Sequence, residues 1–189
     1  MTAVFDTLNA NGYEIINTVS NDYDDVDALL NLYGPSRKRD WKPILVQRDR
    51  ATKRGAFKAA DLPYAHAAFI LRRSAVDALQ DILDAHGELL PLATNDGVEL
   101  FVFNPRFVID AIDHERSQIE RPEGMTLVLI RKYVFIESAI RDIDIFRMPI
   151  GPRQNYFSDR FVERVKAAKL KGTDFIKLWS SDESAQSGA

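Results

Sequence analysis

Two stretches of the chain follow one local order of helix, glycine and strand, and that order sets what the rest must build around. Residues 74–92 read SAVDALQDILDAHGELLPL, and residues 158–179 read SDRFVERVKAAKLKGTDFIKLW. In the first, Ser74 and Asp77 have the spacing of a capping box, with Asp in place of the preferred Glu. Val76, Leu79, Ile82 and Leu83 fall on one helical face, and Gly87 is expected to end the helix in a left-handed conformation. In the second, Ser158 opens the helix, Phe161, Val162, Val165 and Ala168 form its apolar face, and Gly172 closes it. Each helix must bury one stripe and is followed at once by a strand, so both call for a sheet on which to pack.

The remaining apolar runs are short and rich in β-branched and aromatic residues: YEIINTV, PILVQ, GVELFVF, MTLVLI, KYVFIE and DIDIFRM. The acidic segment SNDYDDVDALLNLYGP, residues 20–35, reads as a short helix stopped by Gly34 and Pro35, and RDRATKRG as a turn or loop. Strands and helices do not alternate strictly. The expected fold is therefore α+β, a mixed or mostly antiparallel sheet with two or three packed helices in a single domain.

With 189 residues, 46% of them hydrophobic, one domain can bury a full core, taken here as residues 1–179. The last ten residues, SSDESAQSGA, are small and polar and are expected to form a disordered tail. No apolar run approaches the ~20 residues of a membrane span, and the N-terminus lacks the pattern of a secretory signal, so a cytoplasmic location is expected. The chain has no cysteine, which excludes disulfides, thiolate nucleophiles and cysteine-based metal sites.

A net charge of −3 conceals a strong segregation. The first 35 residues hold six acids and no base, while residues 36–58 hold nine bases and two acids. The basic segment, with Trp41 and Phe57 within it, has the composition of a phosphate-tracking surface; its blander reading is a solvated loop that pairs with the acidic N-terminal third. The acids of NDYDDVD crowd like calcium ligands, yet the glycine and glutamate of a calcium loop are missing, which leaves helix capping or a partner-binding patch. Asp22, Asp24, Asp25, Asp27, Arg37, Lys38, Arg39 and Arg54 are accordingly the candidate partner-binding residues.

FNPRFVIDAIDHERS, residues 103–117, reads as a helix with Asn104 as N-cap and Pro105 at its first position, burying Phe107, Val108, Ala111 and Ile112. Asp110, Asp113 and His114 then cluster at its polar end, where they can be drawn as a metal-assisted hydrolase site. The structural reading, a polar end on a core-packed helix, competes with it. No catalytic residue, cofactor or metal is assigned on this ground. No glycine-rich phosphate loop, nucleophile elbow or paired-histidine zinc motif occurs in the chain.

The order of segments from residue 69 onward carries a resemblance. The helix before GELLPL, then LFVFNPRFVIDAIDHERSQ, FIESAIRDIDIFRMP and YFSDRFVERVKAAKLKGTDFIKLW together resemble the immunity-protein family of bacterial polymorphic toxin systems, once a domain of unknown function and named for a myxobacterial member. The resemblance implies a cytoplasmic protein that binds a cognate toxin and blocks it stoichiometrically, without enzymatic activity. It is strongest over residues 69–179 and transfers no binding residue. The alternatives are a nucleic-acid binder acting through the 37–58 segment, with Arg37, Lys38, Arg39, Lys53 and Arg54, and the hydrolase of Asp110, Asp113 and His114.

Overall fold

The first strand, β1 (Ala3–Asn9), pairs with the far end of the chain: it lies between β13 (Tyr156–Ser158) and β14 (Thr173–Ser180), antiparallel to both. With β12 (Ile145–Phe146) at the other edge, these strands form a four-stranded sheet in the order β12-β13-β1-β14. The computed structural model describes residues 2–19, 23–49, 51–52, 55–65, 68–123, 128–150 and 154–182.

A second unit is a closed barrel of β2 (Ile15–Thr18), β3 (Leu45–Asp49), β8 (Gly87–Thr94), β9 (Leu100–Pro105), β7 (Ala68–Arg72) and β6 (Tyr64–Ala65). Its pairings are antiparallel except β3 with β8 and β2 with β6, which are parallel. The mixed, largely antiparallel α+β architecture expected from the sequence is thus present, and closure of the sheet is what the pattern alone did not reveal. The period of two along each strand decides which side chains fill the barrel. Ile16, Val46, Ile70, Leu90, Leu92, Leu100 and Val102 pack inside it, and α1 (Tyr23–Leu30) brings Leu29, with Leu32 beyond it, into the same cluster.

Phe69, Leu71 and Phe103 point out of the barrel into a central layer. There they meet Ala75, Val76, Leu79 and Leu83 of α2 (Arg73–His86) and Phe161, Val162 and Val165 of α4 (Asp159–Ala167). Phe157 closes the layer from the four-stranded sheet, with the Phe69 and Phe157 rings edge to face at 4.9 Å. The other face of that sheet supplies Val4, Phe146, Tyr156 and Trp179 to a third cluster. This is covered by Ala111, Ile112, Phe135 and by Ile140 of the one-turn α3 (Glu137–Ile140). Two small hairpins, β4 (Ala51–Thr52) with β5 (Gly55–Ala56) and β10 (Gln118–Glu120) with β11 (Leu129–Lys132), complete the described elements.

Several local expectations are corrected. α2 starts at Arg73 with Arg72 as a cap that makes no side-chain bond, and Ser74 donates to Asp61. Gly87 has φ 178°, ordinary extended backbone; glycine is needed because a Cβ would overlap the Asn104 carbonyl oxygen and lie 2.5 Å from Phe103 Cζ. Ser158 does cap α4, accepting from Phe161 N at 3.1 Å. That helix ends before Gly172, however, where Lys169 takes a left-handed φ of 56°. RDRATKRG contributes to the β4–β5 hairpin, and KYVFIE is no strand of its own: Lys132 ends β11, Phe135 makes an isolated bridge and Glu137 starts α3. The ordered chain extends into the expected tail: Ser180 is buried in β14 and Ser181 N donates to Thr2 O at 2.9 Å; residues 183–189 lie outside the described residues.

The helix expected from Asn104 to Asp113 does not form. Asn104 and Pro105 end β9 opposite Glu88 and Gly87, and the following residues run extended. Ile109 N bonds Arg147 O at 2.8 Å, Arg147 N bonds Phe107 O at 2.9 Å, and Ile112 bridges Phe135. Tertiary pairing with two distant segments satisfies this backbone, and that outweighs a local helical pattern.

Candidate interaction surface

The acidic and basic candidates flank one continuous stretch that α1 begins. Asp24 and Asp25 occupy the first helical turn, where carboxylates complement the positive end of the helix dipole. Leu29 and Leu32 anchor the stretch in the barrel cluster, while Val26 is 40% exposed beside a cavity of about 140 Å³ lined also by Ile16, Val46 and Ile70. The carbonyl end of α1 is held by Arg147, which is buried and donates from Nη1 to Leu30 O at 3.0 Å and from Nε to Asn155 Oδ1 at 3.1 Å. The same guanidinium lies 5.6 Å from the Tyr33 ring centre, a cation–π contact.

The chain then turns at Gly34, whose φ of 77° is left-handed and whose N–H donates to Pro105 O at 2.8 Å. Glu88 fixes the next residues, accepting from Ser36 Oγ at 2.7 Å, Arg37 N at 2.6 Å and Asn104 Nδ2 at 2.9 Å. Partial burial pushes the Glu88 carboxyl up, but these three donors and the charge of Lys38 outweigh it and hold it below the usual range. Asn104 also donates to Pro35 O at 3.1 Å, and Trp41 Nε1 donates to Pro91 O at 2.8 Å. The loop backbone is therefore tied to the barrel at both ends. Arg37, Lys38 and Arg39 are exposed on it and make no ion pair with a described residue.

Tyr33 and Val108 stay 40% and 38% exposed at the base of this loop, with Val108 bridging Arg147 and a Val108 methyl 3.9 Å from where a Gly34 Cβ would stand. Tyr33, Arg37 and Arg39 are residue types enriched at interfaces, whereas Val108 and Lys38 are not. Asp24 and Asp27 are exposed and Asp25 half-buried on α1, so the two groups of candidates lie on one continuous segment of the chain. Asp22 and Arg54, with Lys53, lie outside the described residues.

One expected acid–base pairing between the basic segment and the N-terminal third is present, at Glu14. That carboxylate is buried, accepts from Arg48 Nη1 at 2.8 Å and Ala60 N at 3.1 Å, and pairs with Arg72; Arg48 also pairs with Asp96. Burial works against the Arg48 charge, yet the carboxylates of Asp96 and Glu14 outweigh it and raise its pKa further. This cluster joins β2, β3 and β7, and is architectural. Sequence reasoning missed it because no local spacing links residues 14, 48 and 72.

Asp110, Asp113 and His114 do not converge. His114 Nε2 pairs with Asp110 at 3.0 Å on an exposed surface, whereas Asp113 Oδ1 accepts from Glu115 N at 3.1 Å and Arg116 N at 3.0 Å. Asp113 thus caps a tight turn, the mechanism by which Asp side chains initiate turns. Among the described residues no group of three or more acids and histidines could hold a metal ion. A second set, Ser158, Asp144 and His86, has the residue types of a nucleophilic triad in the wrong order. The serine hydroxyl donates to Asp144, and His86 Nε2 accepts the backbone N–H of Asp144 at 2.9 Å with Nδ1 directed at Ile82 O at 2.8 Å. The imidazole has no contact with the serine, so it cannot serve as the base that a nucleophile requires.

Residues 94–179 match the model of the Immunity protein family (Imm11), in keeping with the resemblance to immunity proteins of toxin systems. No curated protein matches the chain. The matched segment contains Asn104, Val108 and Arg147, which support the α1 stretch, while α1, the cationic loop and five of the six barrel strands begin before it. No helix among the described residues is long and apolar enough to cross a membrane.

Proposed function

We propose that this chain is an immunity protein that binds a cognate bacterial toxin in the cytoplasm and neutralises it by stoichiometric association, without catalysis. The observation that carries the reading is the family match over residues 94–179. It is supported by the chemistry of the polar clusters, whose acids, serine and histidine are engaged in capping turns and helices and joining strands.

The toxin is proposed to dock on α1 and the loop that follows it. Asp24, Asp25 and Asp27 lie on one side and Arg37, Lys38 and Arg39 on the other, with Asp22 and Arg54 assigned to the same surface from sequence. Tyr33 and Val108 supply its apolar centre. The loop is tied to the barrel through Glu88, so its backbone at Ser36 and Arg37 needs little further ordering on binding. Charges of both signs on one segment favour fast and selective association with a complementary partner.

The test is growth of cells that express the toxin domain, with and without this chain. Restored growth, and its loss when Arg37 and Arg39 are both changed to Glu, is expected. Equal killing in the presence of well-expressed wild-type protein contradicts the proposal.

A further inference from the structure

A separate surface opens where α4 turns into β14. A cleft of about 550 Å³ is lined there by residues that include Tyr13, Lys166, Lys169, Lys171, Asp174 and Phe175. Lys58 stands at its edge, Nζ 6.0 Å from the Tyr13 ring centre, with its backbone bridged to Tyr13. Four lysines therefore lie in or beside the cleft, against the carboxylates of Asp174 in its lining and of Asp61, which accepts from Lys171 N at 2.9 Å. None of the four makes an ion pair with a described residue, although arginines elsewhere on the surface, such as Arg131 and Arg164, are paired.

Backbone hydrogen bonds and a close glycine contact hold the cleft floor. Lys171 N donates to Asp61 Oδ2 at 2.9 Å, and Lys171 O accepts from Asp61 N at 2.8 Å and Leu62 N at 2.9 Å. Gly172 sits where a Cβ would strike Ala60 and approach the Leu62 carbonyl oxygen to 2.7 Å. Lys169 adopts a φ of 56°, a conformation that costs a side-chain-bearing residue and would suit glycine or asparagine better. Lys169 N bonds Lys166 O at 3.0 Å and Leu170 N bonds Val165 O at 3.2 Å, so the left-handed residue closes α4 and fixes the start of the cleft wall.

We propose that this cleft is a docking site for an acidic segment of a protein partner, its carboxylates meeting the four ammonium groups and its apolar side chains meeting Tyr13, Leu170 and Phe175. The chain's net charge of −3 repels a long polyanion, whereas a short acidic segment experiences mainly the local positive field of the cleft. That favours protein over nucleic acid. The identity of the partner as the toxin rests on the immunity reading, but the binding chemistry does not.

The experiment is fluorescence anisotropy of a labelled peptide of alternating Glu, Leu and Asp with the full-length protein at about 50 mM salt, where surface charge is screened least. A Lys166→Glu/Lys169→Glu variant, a Lys132→Glu control on β11 and a single-stranded oligonucleotide of equal charge complete the set. Saturable peptide binding, weakened roughly tenfold or more by the double variant and unchanged by the control, is expected. Absent binding, equal binding by the double variant, or preference for the oligonucleotide overturns the proposal. So does sedimentation showing a self-associated protein that the double variant dissociates, which would assign the cleft to a second copy of the chain. No toxin is used, so failure here leaves the growth test standing, and the reverse also holds.

Discussion

The guanidinium of Arg147, in the segment that matches the family, donates to the carbonyl of Leu30, at the end of a helix that lies outside it. The bond is 3.0 Å, and it is one of the contacts by which the matched part of the fold holds the proposed docking stretch in place. Arg147→Met keeps most of the volume and leaves Leu30 O and Asn155 Oδ1 without this donor. Charge-assisted hydrogen bonds of this kind support a loss of about 2 to 3 kcal/mol in urea denaturation. Faster amide exchange across residues 23–34 should accompany it. Unchanged exchange there would show that α1 is held by its barrel contacts alone.

Glu14 is the negative centre between Arg48 and Arg72. Removing one partner of a buried ion group leaves uncompensated charge, so Glu14→Ala should destabilise the barrel by roughly 3 to 5 kcal/mol. Arg48 retains Asp96, which moderates the loss on its side. Chemical denaturation checks this. A change near zero would mean that the cluster is solvated well enough to contribute little.

Gly87 carries no unusual backbone angle, so its substitution tests space alone. Gly87→Ala places a methyl against Asn104 O and the Phe103 ring, between β8 and β9 at the end of α2. Overpacking of this kind costs about 1 to 3 kcal/mol or more, and the thermal midpoint should fall accordingly. Gly97→Ala, with φ 73° and nothing within 4 Å of the added carbon, is strained by conformation and so separates the two mechanisms.

Two carboxylates should respond oppositely to pH. The folded-state pKa of Glu88 is lowered, so its stabilising contribution is present above its ordinary value near 4.5 and lost as pH falls through the folded value. Asp6 is raised, chiefly by burial against the lowering bonds from Thr7 N and Gln154. Its contribution is present below the ordinary value near 3.8 and lost as pH rises through the folded value. Asp6→Asn should therefore raise stability at neutral pH, with the gain vanishing in acid. Glu88→Gln should lower stability at neutral pH, with the loss shrinking in acid. Thermal melts across the acid range decide both, and parallel pH profiles for wild type and variant would contradict the assignment.

The parts of this fold legible in the sequence are those set by local physics. Ser158 caps α4 because a hydroxyl at that position meets an otherwise unpaired N–H, and the short apolar runs PILVQ and GVELFVF overlap the strands Leu45–Asp49 and Leu100–Pro105. What escaped reading depends on distant partners. β1 gains its place only when β13 and β14 flank it, and FNPRFVIDAID is extended because Arg147 and Phe135 pair with it. At the candidate surface, Arg37, Lys38 and Arg39 were visible as charge. Tyr33, Val108 and the tether at Glu88 were not, since they come together from three separate segments.

The proposed stoichiometric neutralisation is tested by titrating the activity of the purified cognate toxin domain with this protein. Activity is expected to fall linearly to baseline at equimolar protein, with a complex of one molecule of each eluting together. Activity that persists through a large molar excess contradicts it, as does activity abolished by trace amounts, which would indicate catalysis in place of binding.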